Sequence, residues 1–122
     1  MATWLENQKG IDYVKYSFLP SHPHHGIATK QMKAGGGIVA FSLKGGLKAG
    51  AAFMDNLQMI RISPNLGDSR SIATHRASST HCKLSVEERN AIGIGDGLVR
   101  ISTGLEDISD LLEDVEEALK GL

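Results

Sequence analysis

The chain has 122 residues, which is the size of one domain and enough to bury one hydrophobic core. Its formal net charge of -1, together with the absence of any apolar run near the roughly 20 residues of a membrane span, argues against nucleic acid or a membrane as a partner. The single cysteine, Cys82, cannot form an internal disulfide and fits a reducing cytoplasm, which is the expected location.

The first predicted element is a short helix from Ala2 to Gln8, which ends at a basic residue and a helix-ending glycine, Lys9-Gly10. No capping residue precedes this helix. We therefore expect residues 1–9 to be the tail of a longer helix that continues from a missing upstream part. Ile11 to Tyr16 is predicted to form a short strand.

The middle of the chain predicts two helices and two strands. A helix is expected from His24 to Lys33. Ile38 to Leu43 is apolar enough for a central strand that is covered on both faces. Gly45-Gly46 then opens a helix from Leu47 to about Leu57, and Gln58 to Ile62 is a third strand.

A loop of about 19 residues is predicted from Ser63 to His81. Connections of this length are usually functional, and this one is rich in hydroxyl and amide side chains. It lies between two predicted strands that each present an arginine, Arg61 and Arg100. A polar loop beside a strand arginine is a common arrangement for binding a small carboxylate or phosphate.

The last third of the chain predicts a short helix, a strand and a final helix. Ser85 and Glu88 have the spacing of a capping box, in which each side chain satisfies a free backbone donor of the other residue. Leu98 to Ser102 is the fourth strand, and the apolar stripe from Leu105 to Leu119 predicts a helix to the end. The element order indicates an α+β fold, with a mostly antiparallel sheet of about four strands covered by helices.

Arg100 is the most informative residue of the fourth strand. Side chains alternate along a strand, so Val99 and Ile101 are predicted to face one side, and Arg100 and Ser102 the other. The planar guanidinium suits a carboxylate, which it can bind through two parallel hydrogen bonds. For Arg100, and equally for Arg61, the pattern leaves open whether the side chain contacts a ligand or is paired within the fold.

Other chemistry-bearing residues favour structural interpretations. His22, His24 and His25 lack a cysteine or a spaced acid that would complete a metal site, and the loop histidines His75 and His81 more often bond nearby backbone. The glycine clusters lack the spacing of phosphate-binding loops and are interpreted as turns. Cys82 lacks a tight basic cluster that would activate it. The chain is therefore expected to hold no metal site and no catalytic side chain.

Several spaced motifs resemble, in order, the C-terminal domain of the pyridoxal-phosphate-dependent enzymes of cysteine and methionine metabolism. That family includes cystathionine γ-synthase, cystathionine lyases, methionine γ-lyase and the homoserine-ester sulfhydrylases, and the resemblance covers essentially all 122 residues. The motifs are Leu19-Pro20-Ser21-His22-Pro23, Gly37-Ile38-Val39-Ala40-Phe41, Lys44-Gly45-Gly46, Leu66-Gly67-Asp68, the run from Thr74 to His81, and the run from Leu98 to Asp107.

The resemblance implies the fold of the small C-terminal domain of a fold-type I pyridoxal-phosphate enzyme, with residues 1–122 as that single domain. It implies that Arg100 binds the α-carboxylate of the substrate and that Asn65 lies beside the carboxylate, supplying backbone or amide donors. The form of residues 65–68 resembles most the O-succinylhomoserine and O-acetylhomoserine sulfhydrylases. Arg76 departs from the family, which usually has a proline at that position.

The resemblance also implies what this chain lacks. The catalytic lysine that forms the Schiff base and the residues that bind the cofactor phosphate belong to a large N-terminal domain, the expected partner. Lys30 lies in a predicted helix and is interpreted as solvated. The complete enzyme would use pyridoxal phosphate to convert a homoserine ester to homocysteine or methionine by γ-replacement, and the chain alone is expected to bind no cofactor and to be inactive.

Two non-enzymatic alternatives stay open. The chain could be a free-standing module that binds a small molecule and has lost catalysis. It could also be a structural fragment that serves only for assembly with a catalytic half.

Overall fold

Five strands form one sheet, and five helices accompany it in the computed structural model, which describes all 122 residues. The helices are α1 (Ala2–Glu6), α2 (His25–Gln31), α3 (Gly46–Asn56), α4 (Val86–Ala91) and α5 (Ile108–Lys120). The strands are β1 (Ile11–Lys15), β2 (Ile38–Leu43), β3 (Arg61–Ile62), β4 (Ile72–His75) and β5 (Leu98–Ser102), and a 3-10 turn spans Arg76–Ser78. No helix combines the length and the apolar character that crossing a membrane requires.

The strand order is β1-β2-β5-β4-β3, and only the β3–β4 pair is parallel. The predicted α+β class with a mostly antiparallel sheet is therefore confirmed, with five strands instead of about four. The bounds of β2 and β5 agree with the prediction, and β5 lies at the centre of the sheet. The capping box is also confirmed, because the Glu88 amide donates to Ser85 Oγ and the Ser85 amide to Glu88 Oε2.

The hydrophobic core lies between one face of the sheet and the helices α1, α3 and α5. Phe41 of β2 and Phe53 of α3 are fully buried and meet edge to face, with ring centroids 5.6 Å apart. Val99 and Ile101 of β5 are also fully buried in this core, which fixes the direction of the residues between them. The side chain of Arg100 must therefore project from the opposite face of the sheet.

The predicted loop from Ser63 to His81 is wrong in its middle, because β4 lies within it. All four residues of β4 are buried, and the strand pairs with both β5 and β3. What remains as a connection between β3 and β4 is the segment Ser63–Ser71, which we call the β3–β4 segment.

The third strand is shorter than predicted, and the reason lies in α5. The carboxylate of Asp114 accepts hydrogen bonds from the backbone amides of Gln58 (2.8 Å), Met59 (3.2 Å) and Ile60 (2.9 Å). These three donors are therefore turned toward a helix side chain instead of a neighbouring strand, and only Arg61 and Ile62 pair with β4. Helix α1 spans Ala2–Glu6 and has no side-chain cap; its continuation upstream stays a prediction.

Candidate carboxylate-binding site

Arg100 lies in the middle of β5, between Ala40 of β2 and Thr74 of β4. Its neighbours Val99 and Ile101 are fully buried in the core, so the predicted alternation of faces along this strand is confirmed. Thr74 is itself buried, and its hydroxyl donates to the carbonyl of Ser63. The β3–β4 segment therefore begins directly beside the strand that flanks Arg100.

The guanidinium of Arg100 is held from one side only. Its Nη2 donates to the backbone carbonyls of Pro64 (3.0 Å) and Asn65 (2.8 Å), both in the β3–β4 segment. Its Nε is buried and has no hydrogen-bond partner. Buried donors without a partner are rare, because each costs about 1–3 kcal/mol of lost hydration. The arrangement is a positioned cation with an unsatisfied donor, which a bound anion would satisfy.

The charge around Arg100 favours an anion as well. Burial lowers the pKa of Arg100, and the nearby charge of Arg76 lowers it further. Arginine nevertheless keeps its proton in proteins. The ion pairs of the chain involve other cations, namely Arg70, Arg89 and Lys120, so Arg100 has no carboxylate partner within the chain.

Asn65, the second residue expected at the site, lies next to Arg100. Its carbonyl accepts from Arg100 Nη2, and its amide N–H donates to Ser63 Oγ at 3.2 Å. The residue is exposed, so its side-chain amide is open to solvent. The two expected site residues are therefore neighbours, and the donation of hydrogen bonds by Asn65 to a ligand stays a prediction.

The β3–β4 segment is anchored to the chain that follows Arg100. The Gly67 amide donates to Ser102 Oγ at 3.0 Å. The carboxylate of Glu106 accepts from the Ser71 amide (2.7 Å) and from Ser71 Oγ (2.8 Å), and the Gly104 amide donates to the same hydroxyl oxygen at 2.8 Å. The Ser71 amide is also the main cause that lowers the pKa of Glu106. These contacts fix where the carbonyls over Arg100 lie.

The sequence did not indicate Glu106 or Ser71 as parts of this site. The position of Glu106, two residues after Ser102-Thr103-Gly104, is the signal that could have indicated it, because a short turn directs the acid that follows toward the neighbouring strand.

Arg61, the other strand arginine, is not part of this arrangement. It is exposed on the edge strand β3, and β4 separates that strand from β5. Its possible contact with a ligand, which the sequence left open, therefore has no support from a neighbouring donor or from burial.

His75 lies in β4 and is buried, although the prediction placed it in a loop. Its Nε2 is 2.7 Å from the carbonyl oxygen of Asp96, so this nitrogen carries the proton and donates. Its Nδ1 then accepts from Ser78 Oγ at 2.8 Å. Both ring nitrogens are satisfied within the fold, as the structural interpretation of this histidine requires. No three potential metal ligands of the chain lie together.

The largest cavity has a volume of about 580 Å³ and borders the site. Its lining includes Pro64, whose carbonyl contacts Arg100, and Thr74, which lies opposite Arg100 on β4, whereas Arg100 itself is not in the lining. The rest of its lining includes Ala51, Met54 and Asp55 of α3 and the hydroxyl residues Ser78, Ser79 and Thr80.

The residues of this chain do not by themselves fit pyridoxal phosphate, the cofactor that the resemblance implies. A covalent site for this cofactor needs a lysine amine in a shielded pocket. Every lysine of the chain is exposed, including Lys30 of α2. The chain therefore offers no shielded lysine for the cofactor.

Comparison with known proteins gives the family. A family model described as "Cys/Met metabolism PLP-dependent enzyme" matches residues 1–120. An O-succinylhomoserine sulfhydrylase of Pseudomonas aeruginosa is 44% identical over 102 residues, which is 84% of this chain and 25% of that protein. An L-methionine gamma-lyase of Pseudomonas deceptionensis is 46% identical over 122 residues, 100% of this chain and 31% of that protein.

A third relative is the O-acetyl-L-homoserine sulfhydrylase 1 of Thermus thermophilus, which is 42% identical over 120 residues, 98% of this chain and 28% of that protein. The chain thus spans about a quarter to a third of the length of these curated relatives. The match over almost the whole chain is consistent with the resemblance drawn from the spaced motifs. The chain belongs to the family of pyridoxal-phosphate-dependent enzymes of cysteine and methionine metabolism.

Proposed function

We propose that this chain is the C-terminal, substrate-binding domain of a pyridoxal-phosphate-dependent homoserine-ester sulfhydrylase, and that Arg100 binds the α-carboxylate of the substrate. The observation that carries the proposal is the buried Nε of Arg100, which has no partner in the chain. Nη2 is already fixed by two backbone carbonyls, so the guanidinium has a defined direction before a ligand arrives. A carboxylate beside it would satisfy Nε and neutralise the charge.

Asn65 supports the same ligand in this proposal. It is exposed beside the guanidinium, and its backbone is held by Ser63 and Arg100. Its side-chain amide can therefore turn toward a carboxylate that occupies the Nε side of Arg100 without moving the main chain. Asn65 would act as a positioning residue for the substrate.

The reaction belongs to the complete protein. Pyridoxal phosphate, held by a large N-terminal domain with its lysine, would supply the electron sink for removing the acyl group and adding sulfide at the γ-carbon. This chain would bind and orient the amino acid and would be inactive alone. Relatives named sulfhydrylase and relatives named lyase match it at similar identity, and the form of residues 65–68 favours a sulfhydrylase.

The test is a titration of the purified chain with O-acetyl-L-homoserine, followed by backbone amide NMR. We expect saturable shifts of the amides in the β3–β4 segment, and a fall in affinity of at least about 30-fold for Arg100→Gln, because losing a buried arginine–carboxylate pair costs about 2–5 kcal/mol. Arg61→Gln, which removes the same charge from the edge strand, is the matched control and should bind like the wild type.

A ligand without the carboxylate completes this experiment. The α-methyl ester of O-acetylhomoserine keeps the acetyl ester and the amine. Its affinity for the wild type should be no higher than its affinity for the Arg100→Gln chain. Equal binding of the ester and the free acid, or unchanged affinity of Arg100→Gln, would refute the assignment of Arg100.

The role as one domain of a longer enzyme has its own test, which is the reading frame directly upstream. A frame that encodes a lysine-bearing pyridoxal-phosphate domain supports the proposal. A frame without such a domain, combined with saturable binding of the amino acid, would instead indicate a free-standing binding module. A frame without such a domain, combined with no binding, would indicate a structural fragment that serves only for assembly.

A further inference from the structure

The outward face of β4 is buried, although the hydrophobic core lies on the other face of the sheet. Ala73 belongs to the core, so its neighbours Ile72 and Thr74 project from the opposite face, in register with Ser102 and Arg100 of β5. Both neighbours are nevertheless buried, and so is Ser102. The β3–β4 segment contacts Thr74, Arg100 and Ser102 through hydrogen bonds, and it therefore lies across this face of β4.

Strand β5 holds the segment at two points on one face. Nη2 of Arg100 donates to the carbonyls of Pro64 (3.0 Å) and Asn65 (2.8 Å), and Oγ of Ser102 accepts from the amide of Gly67 at 3.0 Å. The two side chains of β5 are two residues apart, as are Asn65 and Gly67 of the segment. These hydrogen bonds therefore hold the same short stretch of backbone against the same face of β5.

Gly67 has a backbone conformation that favours glycine. Its φ of 79° lies in the left-handed region, which other residues adopt only with strain. A Cβ at this position would meet no other atom within 4 Å, so the glycine is explained by the conformation and not by a lack of space. The hydrogen bond to Ser102 joins this turn to the sheet.

We propose that Ser102 is a positioning residue for the substrate at Arg100, an inference that rests on the proposed function. Ser102 holds the turn at Gly67, and the turn holds Asn65 where its carbonyl meets the guanidinium. The guanidinium then keeps the direction in which its free Nε–H meets a carboxylate. Without Ser102, the segment is in place in only a fraction of the chains, and the apparent affinity falls by that fraction.

The first test is Ser102→Ala, which removes the acceptor of the Gly67 amide. Titration of the purified chain with O-acetyl-L-homoserine, followed by NMR, should give an affinity about two- to tenfold below that of the wild type, as expected for the loss of one hydrogen bond. The Gly67 amide hydrogen should also exchange faster with solvent, because the segment opens more often. Arg100→Gln, measured in parallel, should bind more weakly than Ser102→Ala.

A spectroscopic signal separates positioning from a general loss of stability. In the ¹⁵N-labelled chain without ligand, Ser102→Ala should move the Nε–H signal of Arg100, because the backbone around the guanidinium is no longer fixed. The Nε–H signal of Arg89, which is buried and paired with Asp96, should stay in place.

A pair of glycine variants tests the turn itself. Gly67→Ala keeps the amide hydrogen and strains the left-handed conformation. Gly93 is the matched control, because its φ is 76°, a Cβ there would also meet no atom within 4 Å, and it lies after α4, away from the segment. The two variants should lose stability about equally, whereas only Gly67→Ala should bind O-acetyl-L-homoserine at least about twofold more weakly.

The outcomes distinguish this inference from the proposed function. If Ser102→Ala and Gly67→Ala bind like the wild type while Arg100→Gln binds weakly, the inference on Ser102 is wrong and the proposed function stands. If Gly93→Ala loses as much affinity as Gly67→Ala, stability alone explains the effect, and the inference is also wrong. If Arg100→Gln binds like the wild type, or the wild type does not bind, the proposed function fails, and this inference with it.

Discussion

Asp114 should be one of the most sensitive positions for stability in this chain, because one carboxylate serves three backbone donors. It is buried in α5, and it accepts from the amides of Gln58, Met59 and Ile60. In Asp114→Ala, the Ile60 amide, which belongs to a residue only 2% exposed, loses its partner and cannot reach water. That single donor costs about 1–3 kcal/mol.

The other two donors add less to the free-energy cost of Asp114→Ala. Gln58 is exposed and Met59 is partly exposed, so water can replace the carboxylate at a cost of about 0.5–1 kcal/mol each. The expected loss for Asp114→Ala is therefore about 3 kcal/mol of unfolding free energy, a large fraction of the stability of a small domain. Asp114→Asn keeps one oxygen acceptor and should lose about half as much.

Urea unfolding followed by circular dichroism at neutral pH measures these differences. Glu113→Ala is the matched control, because Glu113 is the exposed neighbour of Asp114 on the same helix and should change stability by less than about 0.5 kcal/mol. If Asp114→Ala lost no more than Glu113→Ala, the argument that this carboxylate holds the chain entering β3 would be refuted.

Three further predictions concern the site and its supports. The pKa of Glu106 is lowered from 4.5 in the folded chain, so the stability that it contributes is present above pH 4.5 and is lost as the pH falls through the lower, folded-state pKa. The difference in unfolding free energy between the wild type and Glu106→Gln, measured by urea unfolding, should therefore shrink as the pH is lowered from neutral to below 4.5. A constant difference would contradict this. Gly50→Ala places a methyl group against the ring of His75 and should cost about 1–3 kcal/mol and shift the imidazole NMR signals, whereas unchanged signals would show that the helix moves instead. Borohydride reduction of the chain with pyridoxal phosphate should give no stoichiometric adduct at one lysine by mass spectrometry, because every lysine is exposed; a single stoichiometric adduct would reveal a cofactor site in this chain.

Much of the fold is predicted from the pattern of apolar residues along the chain, and the differences at β3 and β4 have physical causes. β2 and β5 are apolar runs with clear edges, and their bounds were predicted correctly. β4 was missed because Ile72–His75 contains one large aliphatic residue, and polar residues flank it. Its burial comes from pairing on both sides, which local composition does not report. A connection of about 19 residues without secondary structure is uncommon in a compact domain, which agrees with the presence of a strand within it.

The overprediction of β3 has a different cause. Residues 58–60 are predicted to begin the strand, but their amides donate to a carboxylate that lies more than 50 positions later in the chain. Propensity describes the side chains of a segment, whereas the ladder depends on where its backbone donors point. A partner so distant in sequence cannot be inferred from a single chain.

The candidate site was predictable in part. The face on which Arg100 emerges followed from alternation, and its pairing with Asn65 came from the family resemblance. The contacts that fix the guanidinium are backbone carbonyls of Pro64 and Asn65, which carry no residue-specific signal.

The most direct test of the account observes the Nε–H of Arg100 itself. In a ¹⁵N-labelled chain, the arginine Nε–H signals are assigned by comparison with Arg100→Lys and followed while O-acetyl-L-homoserine is added. The account predicts that the Arg100 signal moves saturably downfield, since a carboxylate supplies the hydrogen bond that this buried donor lacks. An Arg100 signal that stays in place while the ligand shifts another arginine, or shifts none, would contradict the carboxylate site.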